Sequence, residues 1–308
     1  WDPLRAALAH DAQIIGSGIT TVFDSLCVGA TVTRPERREV LGPMVDAIEE
    51  GQAAGLFRAV HFVHLRCEIT DAEPARLTEE NIGKPIVRMV SIMEHLPGRR
   101  QSRDIEAYMQ RRMADTGETR MEAEKSVRGR LNFSDDISAK VRPAVIALAR
   151  ERGLPLLSHD DTELHHVDEA LAEGVTVSEF PCTLAAARKA KAHGMHVVGG
   201  APNVLRGGSQ SGNVAVEDLL AEGLVDILAS DYVPRLMLDA AFMIAANAAF
   251  GEDLPSAIRT VSLNPAEVSG LPDRGEIAVG KRADLLHVGL HAGHPYIRQA
   301  WLSAQRVL

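Results

Sequence analysis

Five side chains of ligand type stand at the ends of apolar runs: Glu68, His95, His159, Glu179 and Asp231. The plainest of these runs is Val225-Asp226-Ile227-Leu228-Ala229-Ser230-Asp231. Two others are His61-Phe62-Val63-His64-Leu65-Arg66-Cys67-Glu68 and Leu154-Pro155-Leu156-Leu157-Ser158-His159-Asp160-Asp161. Imidazoles and carboxylates together hold a divalent cation and leave one position for water, which is the chemistry of a metal-dependent hydrolase. A lone histidine or glutamate at a strand end is commonly just a hydrogen-bonded loop residue. Five strand ends in register argue for more, because a βα barrel delivers such residues to one mouth. His64, just inside that mouth, is expected to be a ligand or the partner of one. Asp160 and Asp161 are expected either to orient an imidazole or to cap the next helix. His61 reads as a core or strand-surface residue, and His165 and His166 as exposed helix positions.

A second cluster suits anions. The segment 199–213 follows a strand end and carries Asn203, Arg206, Gly207, Gly208, Ser209 and Ser211. Glycine lets backbone N–H groups approach an anion closely, and arginine adds a forked donor matched to phosphate. The plain alternative is a flexible connecting loop. A loop this dense in donors at an active-site mouth favours anion binding. Arg66 and the pair Arg99-Arg100 also lie just past strand ends and are expected to make the mouth basic.

The elements that must position these groups alternate strand and helix. Strands are expected at 19–25, 61–68, 87–95, 154–160, 175–181, 196–203 and 225–231, with helical patterns between them, among them 3–16, 35–54, 164–173 and 183–193. Gly55, Gly153, Gly174, Gly194 and Gly223 each stand where a helix should stop before the next strand. Seven strands are one short of a closed (β/α)8 barrel. The helix at 3–16 has no strand before it, so strand one is expected upstream of Trp1. An open doubly wound sheet is the alternative, but its strand ends would not form a ring. Residues 99–140 are highly charged and read as a helical insertion or lid on a barrel spanning 1–270. From 271 to 308 short strand-like pieces at 275–278, 283–288 and 300–302 suggest part of a small β domain whose other strands would lie upstream.

Composition narrows the class. Aromatic residues are only 4% of a chain that is 45% hydrophobic, so Ala, Val, Leu and Ile must fill the core, as in parallel sheets covered by helices. A net charge of −9 argues against a protein that coats nucleic acid. The three cysteines, Cys27, Cys67 and Cys182, are too scattered for a zinc knuckle, and their odd number argues against a disulfide framework. No apolar run would span a membrane and no secretory signal is evident, so a cytoplasmic setting is expected.

At this point a resemblance enters. Gly275-Glu276-Ile277-Ala278-Val279-Gly280-Lys281-Arg282-Ala283-Asp284-Leu285 resembles the closing signature of the amidohydrolase superfamily, and Asp231 its strand-eight aspartate. His64-Leu65-Arg66-Cys67-Glu68, Ser158-His159-Asp160-Asp161, Gly200-Ala201-Pro202-Asn203 with Arg206-Gly207-Gly208-Ser209 and Ser211-Gly212-Asn213, and Ser230-Asp231-Tyr232 resemble one branch, the triphosphate diphosphatases of phosphonate utilisation. The resemblance implies a distorted (β/α)8 TIM barrel of the α/β class with a small β domain. It implies one or two divalent metal ions, zinc first and manganese or magnesium as alternatives. It also implies release of pyrophosphate from a phosphorylated ribose carrying a 5-triphosphate. The family's first strand supplies a His-x-Asp or His-x-His pair, which this chain does not contain ahead of its first helix.

The sequence thus predicts a hydrolase with Asp231 as ligand and general base, metal on Glu68, His95, His159, Glu179 and Asp231, and phosphate on Arg66 and the 203–211 donors. His64, Asp160 and Asp161 would stand behind the ligands. Cleavage of a C–N bond, or binding of a phosphometabolite without catalysis, are the competing readings. A homo-oligomer is compatible with the sequence, and no nucleic acid or membrane partner is expected.

Overall fold

The computed structural model describes residues 2–30, 36–209, 212–251 and 253–308. Seven parallel strands form one sheet in chain order: β1 (Thr21–Val28), β2 (Val60–Glu68), β3 (Val87–Met93), β4 (Leu156–His159), β5 (Val177–Glu179), β6 (His196–Gly200) and β7 (Ile227–Ala229). Every expected strand is present, though most are shorter than the apolar runs that announced them. Pro155 has no N–H to donate, so β4 begins one residue later, at Leu156. Pro202 starts a helix, Ala201–Arg206, and so ends β6 at Gly200. The segment read as a continuous glycine-rich loop therefore opens with a helical turn and a half. The five helix-ending glycines behave as expected, each in the left-handed region with φ between 62° and 77°.

Period-two alternation sorts the side chains. On β2, Val63, Leu65 and Cys67 face outward into a core shared with Val45, Ile48 and Leu77 from the covering helices. His64, Arg66 and Glu68 face inward. A second, inner core of Met89, Leu157, Val177, Val198 and Ile227, with Phe23 and Phe180 against it, fills the sheet's concave side. Burying each such aliphatic side chain contributes about 1.5–3 kcal/mol, so both faces of the sheet are fixed and the strand ends are held in register.

Among the described residues β1 and β7 do not pair with each other. A cavity of about 1040 Å³ lies between them, lined by Val22, Phe23 and Leu26 on one side and Leu228 and Ala229 on the other, and it reaches Glu179 and Asp231.

The charged segment is helical and continues into the wall of the sheet. One helix is Ile105–Thr116; the other, Arg120–Glu151, opens on a Thr119–Glu122 capping box and runs on until Val141, Val145, Ile146 and Ala149 are buried in the outer core. Near the C-terminus an antiparallel sheet holds β8 (Leu285–His291), β9 (His294–Leu302) and β10 (Gln305–Arg306). The piece at 275–278 is not a strand. Gly275, at φ 94°, turns so closely over the preceding helix that a Cβ would lie 2.7 Å from the Leu263 Cα. No helix among the described residues is long and apolar enough to cross a membrane.

Candidate active site

Three residues that directly follow or nearly follow inner strands adopt left-handed backbone without being glycine: Asp160 (φ 56°), Phe180 (φ 56°) and Asp231 (φ 51°). Such residues cost roughly 1–3 kcal/mol each and persist only where the surroundings over-determine them. Here the strand ladder does so, through Asp160 N–H to the Glu179 carbonyl and Phe180 N–H to the Val198 carbonyl, both at 3.0 Å. The turn aims the Asp160 carboxylate back over the mouth.

Two imidazoles meet it there. His95 Nδ1 lies 2.6 Å from Glu68 Oε2, and His159 Nδ1 lies 2.7 Å from Glu179 Oε2. Each carboxylate thus accepts a hydrogen bond from Nδ1–H and leaves Nε2 facing the mouth. Asp160 Oδ2 is 3.9 Å from His95 Nε2 and 3.5 Å from His159 Nε2. Burial opposes ionisation of Glu68, but His95 and Thr70 outweigh it and lower its pKa. Burial likewise opposes Glu179, and His159, with His64 and Arg66 behind it, brings its pKa down to about 2. Both carboxylates are therefore anionic at neutral pH and hold their imidazoles firmly.

His95, His159 and Asp160 present donor atoms within 4.8 Å of one another. Two imidazole nitrogens and a carboxylate oxygen at that spacing fit a divalent cation. Of the residues named from the sequence, His95, His159 and Asp160 bring their donor atoms together, and Glu68 and Glu179 hydrogen-bond to the two imidazole rings. The signal for Asp160 was its place next to a strand-end histidine. Asp231 is exposed at the same mouth, with a pKa raised by desolvation and by Glu179 against Arg66, His159 and Arg206.

Other expectations divide. His64 is buried with Nδ1 3.2 Å from Ser25 Oγ, and burial drives its pKa down to about 4, so it is neutral. Asp161 neither caps the next helix nor reaches an imidazole. It accepts from Ser158 and Ser178 and pairs with buried Arg100 at 3.0 Å. Arg99 is taken up by Glu94 and Asp135 and Arg100 by Glu94 and Asp161, so neither makes the mouth basic. His166 is not a free surface residue. Its Nδ1 accepts from the N–H groups of Thr162 and Glu163, capping helix Leu164–Ala172.

Arg66 does face the mouth, with Nη2 3.1 Å from His159 Nε2. Arg206 lines a cavity of about 130 Å³ together with Asp160, Asp231, Asn203 and Ser209, and its guanidinium donates to the Tyr232 hydroxyl. Asn203 spends its Oδ1 on the Val216 N–H and so pins the returning chain rather than offering that oxygen to a ligand. Gly207, at φ 71°, caps the short helix, and Gly208 follows it. Ser211 lies outside the described residues.

A curled parallel sheet with helices outside and a histidine–carboxylate cluster at its C-terminal mouth is the architecture of metal-dependent barrel hydrolases. The chain belongs to the amidohydrolase family, whose model matches residues 7–305. It is a hydrolase of that family. Over 307 residues, 100% of the chain and 81% of the relative, it is 40% identical to the α-D-ribose 1-methylphosphonate 5-triphosphate diphosphatase of Escherichia coli (strain K12). Among solved structures, 5-methylcytosine deaminase from Klebsiella pneumoniae aligns with a TM-score of 0.63 at 16% identity, covering 100% of this chain and 76% of that one. Adenine deaminase from Arthrobacter aurescens aligns with a TM-score of 0.51 at 14% identity, covering 88% and 77%. At these identities the two deaminases speak to the fold alone.

Proposed function

We propose that this hydrolase cleaves a phosphoanhydride and releases pyrophosphate from α-D-ribose 1-methylphosphonate 5-triphosphate, the compound named in its 40% identical relative. The observation that carries the reading within the structure is the placement of Arg66 and Arg206 on the mouth that also holds His95, His159, Asp160 and Asp231. An amide substrate needs no such pair of guanidinium groups, whereas a triphosphate does.

His95, His159 and Asp160 would hold a divalent cation, zinc fitting this donor set better than magnesium. When bound, the cation supplies Lewis acidity and a more acidic water. Glu68 and Glu179 keep the imidazoles in the Nδ1–H tautomer. Asp231, exposed at the mouth and raised in pKa, takes the proton of the attacking water. Arg206 and Arg66 grip the triphosphate oxygens and stabilise charge on the departing pyrophosphate.

The test supplies the ribose triphosphate, cytosine, adenine and a cyclic amide to zinc-loaded protein. Pyrophosphate released from the first, with no ammonia from the bases, supports the proposal. Ammonia release without pyrophosphate replaces it with C–N chemistry, and stoichiometric binding without turnover replaces it with a binding protein.

A further inference from the structure

The charged insertion reaches the two imidazole-bearing segments through their main chain. Arg130 Nη2 donates to the His95 carbonyl at 2.9 Å, and Arg100 Nη1 donates to the His159 carbonyl at 3.2 Å. Each histidine is therefore held twice, by a carboxylate on its ring and by an arginine of the insertion on its backbone. We infer that Arg130 and Arg100 are positioning residues that clamp His95 and His159, so that the insertion sets the geometry of the donor cluster. This rests on the metal-site reading above.

The two clamps differ in how much else holds their histidine. His159 is the last residue of β4 and paired across to Glu179. His95 lies two residues beyond the end of β3 at Met93, where the ladder has stopped. Its N–H is held by Glu68 Oε1 at 3.2 Å, and its carbonyl by Arg130. Without Arg130 the loop loses a charge-assisted bond, and the ring that Glu68 orients rides on looser backbone. Arg130 is itself braced, since Nη1 donates to the Tyr108 hydroxyl at 3.2 Å and so ties the two insertion helices together.

Arg100 is fixed from every side. Only 4% of its side chain is exposed, Glu94 Oε2 and Asp161 Oδ1 each lie 3.0 Å away, and its backbone adopts φ 44°. A strained, buried arginine of this kind is kept where its surroundings demand one position. Its removal would leave Asp161 buried without its cation, so Arg130 is the cleaner probe.

The experiment titrates zinc into metal-stripped protein against a chromophoric chelator, with the cobalt absorption spectrum as a second readout of donor geometry. Variants are Arg130→Met, Arg130→Lys, His95→Ala and, as a control exposed on the same helix, Arg128→Met. Losing a group that orients a metal ligand typically weakens metal binding by about 10–100-fold. Arg130→Met is expected to fall in that range and to shift the cobalt bands, with Arg130→Lys recovering part of the affinity and Arg128→Met matching the parent. Arg130→Met binding zinc as tightly as Arg128→Met, with unchanged cobalt bands, overturns the clamp while leaving the metal site standing. Unchanged zinc binding in His95→Ala overturns the metal site and the clamp together.

Discussion

The guanidinium of Arg66 lies 3.1 Å from His159 Nε2, the same nitrogen that approaches Asp160 Oδ2 at 3.5 Å. Guanidinium only donates, so Nε2 must accept, which agrees with the Nδ1 proton going to Glu179. Arg66 thus stands on the lone pair that a cation would use. Its own Nε is buried without a partner, a situation that costs about 1–3 kcal/mol. A cation on His159 Nε2 would displace the guanidinium, which is then expected to turn toward a bound anion.

Arg66→Met is therefore expected to bind zinc more tightly than the parent while losing activity on the triphosphate. Opposed charges near a protein surface interact by about 4 kcal/mol at 4 Å and like charges repel by as much, and relaxation of the side chain removes most of this, leaving about tenfold in affinity. A chelator competition assay reads it. Weaker zinc binding in the variant would show that Arg66 supports the cation instead of competing with it.

Asp231→Asn keeps the size of the side chain and removes the base. Turnover should drop by roughly 10²–10⁴, with the melting temperature unchanged because Asp231 is exposed and outside both cores. Full turnover at saturating zinc would assign the proton to another group.

Arg206→Ala removes charge-assisted hydrogen bonds of about 1.5–3 kcal/mol, or ten- to hundred-fold in kcat/KM on the triphosphate. Zinc content should not change, since guanidinium does not ligate. Arg206→Lys should recover only part, because a point charge cannot reproduce the fork. Equal kcat/KM in all three proteins would reduce the segment after β6 to a connector.

A second histidine–aspartate network joins the first helix to β1 and β2. Asp24 Oδ2 is 2.8 Å from His61 Nδ1, and Asp24 Oδ1 is 3.1 Å from His10 Nε2. The hydrogen bond to Asp24 raises the pKa of His10 above 6.5 against partial burial. Burial opposes Asp24, yet its two histidines bring its pKa below 3.8. The raised histidine contributes stability that is complete below 6.5 and lost as pH climbs through its folded pKa. The depressed aspartate contributes stability present above 3.8 and lost as pH falls through its folded pKa. The stability that this network itself contributes is thus fullest from about pH 4 to 6.5, while buried His64, with its pKa down at about 4, costs stability as pH falls below 6.5. His10→Gln should flatten the alkaline slope of melting temperature only; an unchanged alkaline slope in that variant would assign the titration elsewhere.

The order of strands, the mouth they share and the residue types delivered to it were legible in the amino-acid sequence. Those properties follow from local pattern: apolar runs of strand length, helix-stopping glycines, and ligand-type residues where the runs end. It placed Glu68, His95, His159, Glu179 and Asp231 at one end of the sheet because a strand's direction and period fix which end and which face a residue occupies. Which atoms meet depends instead on the folded arrangement. Asp160 comes within 3.9 Å of both imidazoles because a left-handed turn, held by the β4–β5 ladder, swings its carboxylate over the mouth. Glu68 and Glu179 fall behind the imidazoles because each lies one strand over from its histidine at hydrogen-bonding distance, which spacing along the chain cannot express. Arg99 and Arg100 turn away from the mouth because Glu94, Asp135 and Asp161 compete for them. Arg130, in a helix that reads as solvated surface, reaches the His95 carbonyl across 35 residues of chain. Pairings of this kind depend on long-range geometry, and no local pattern in the chain records them.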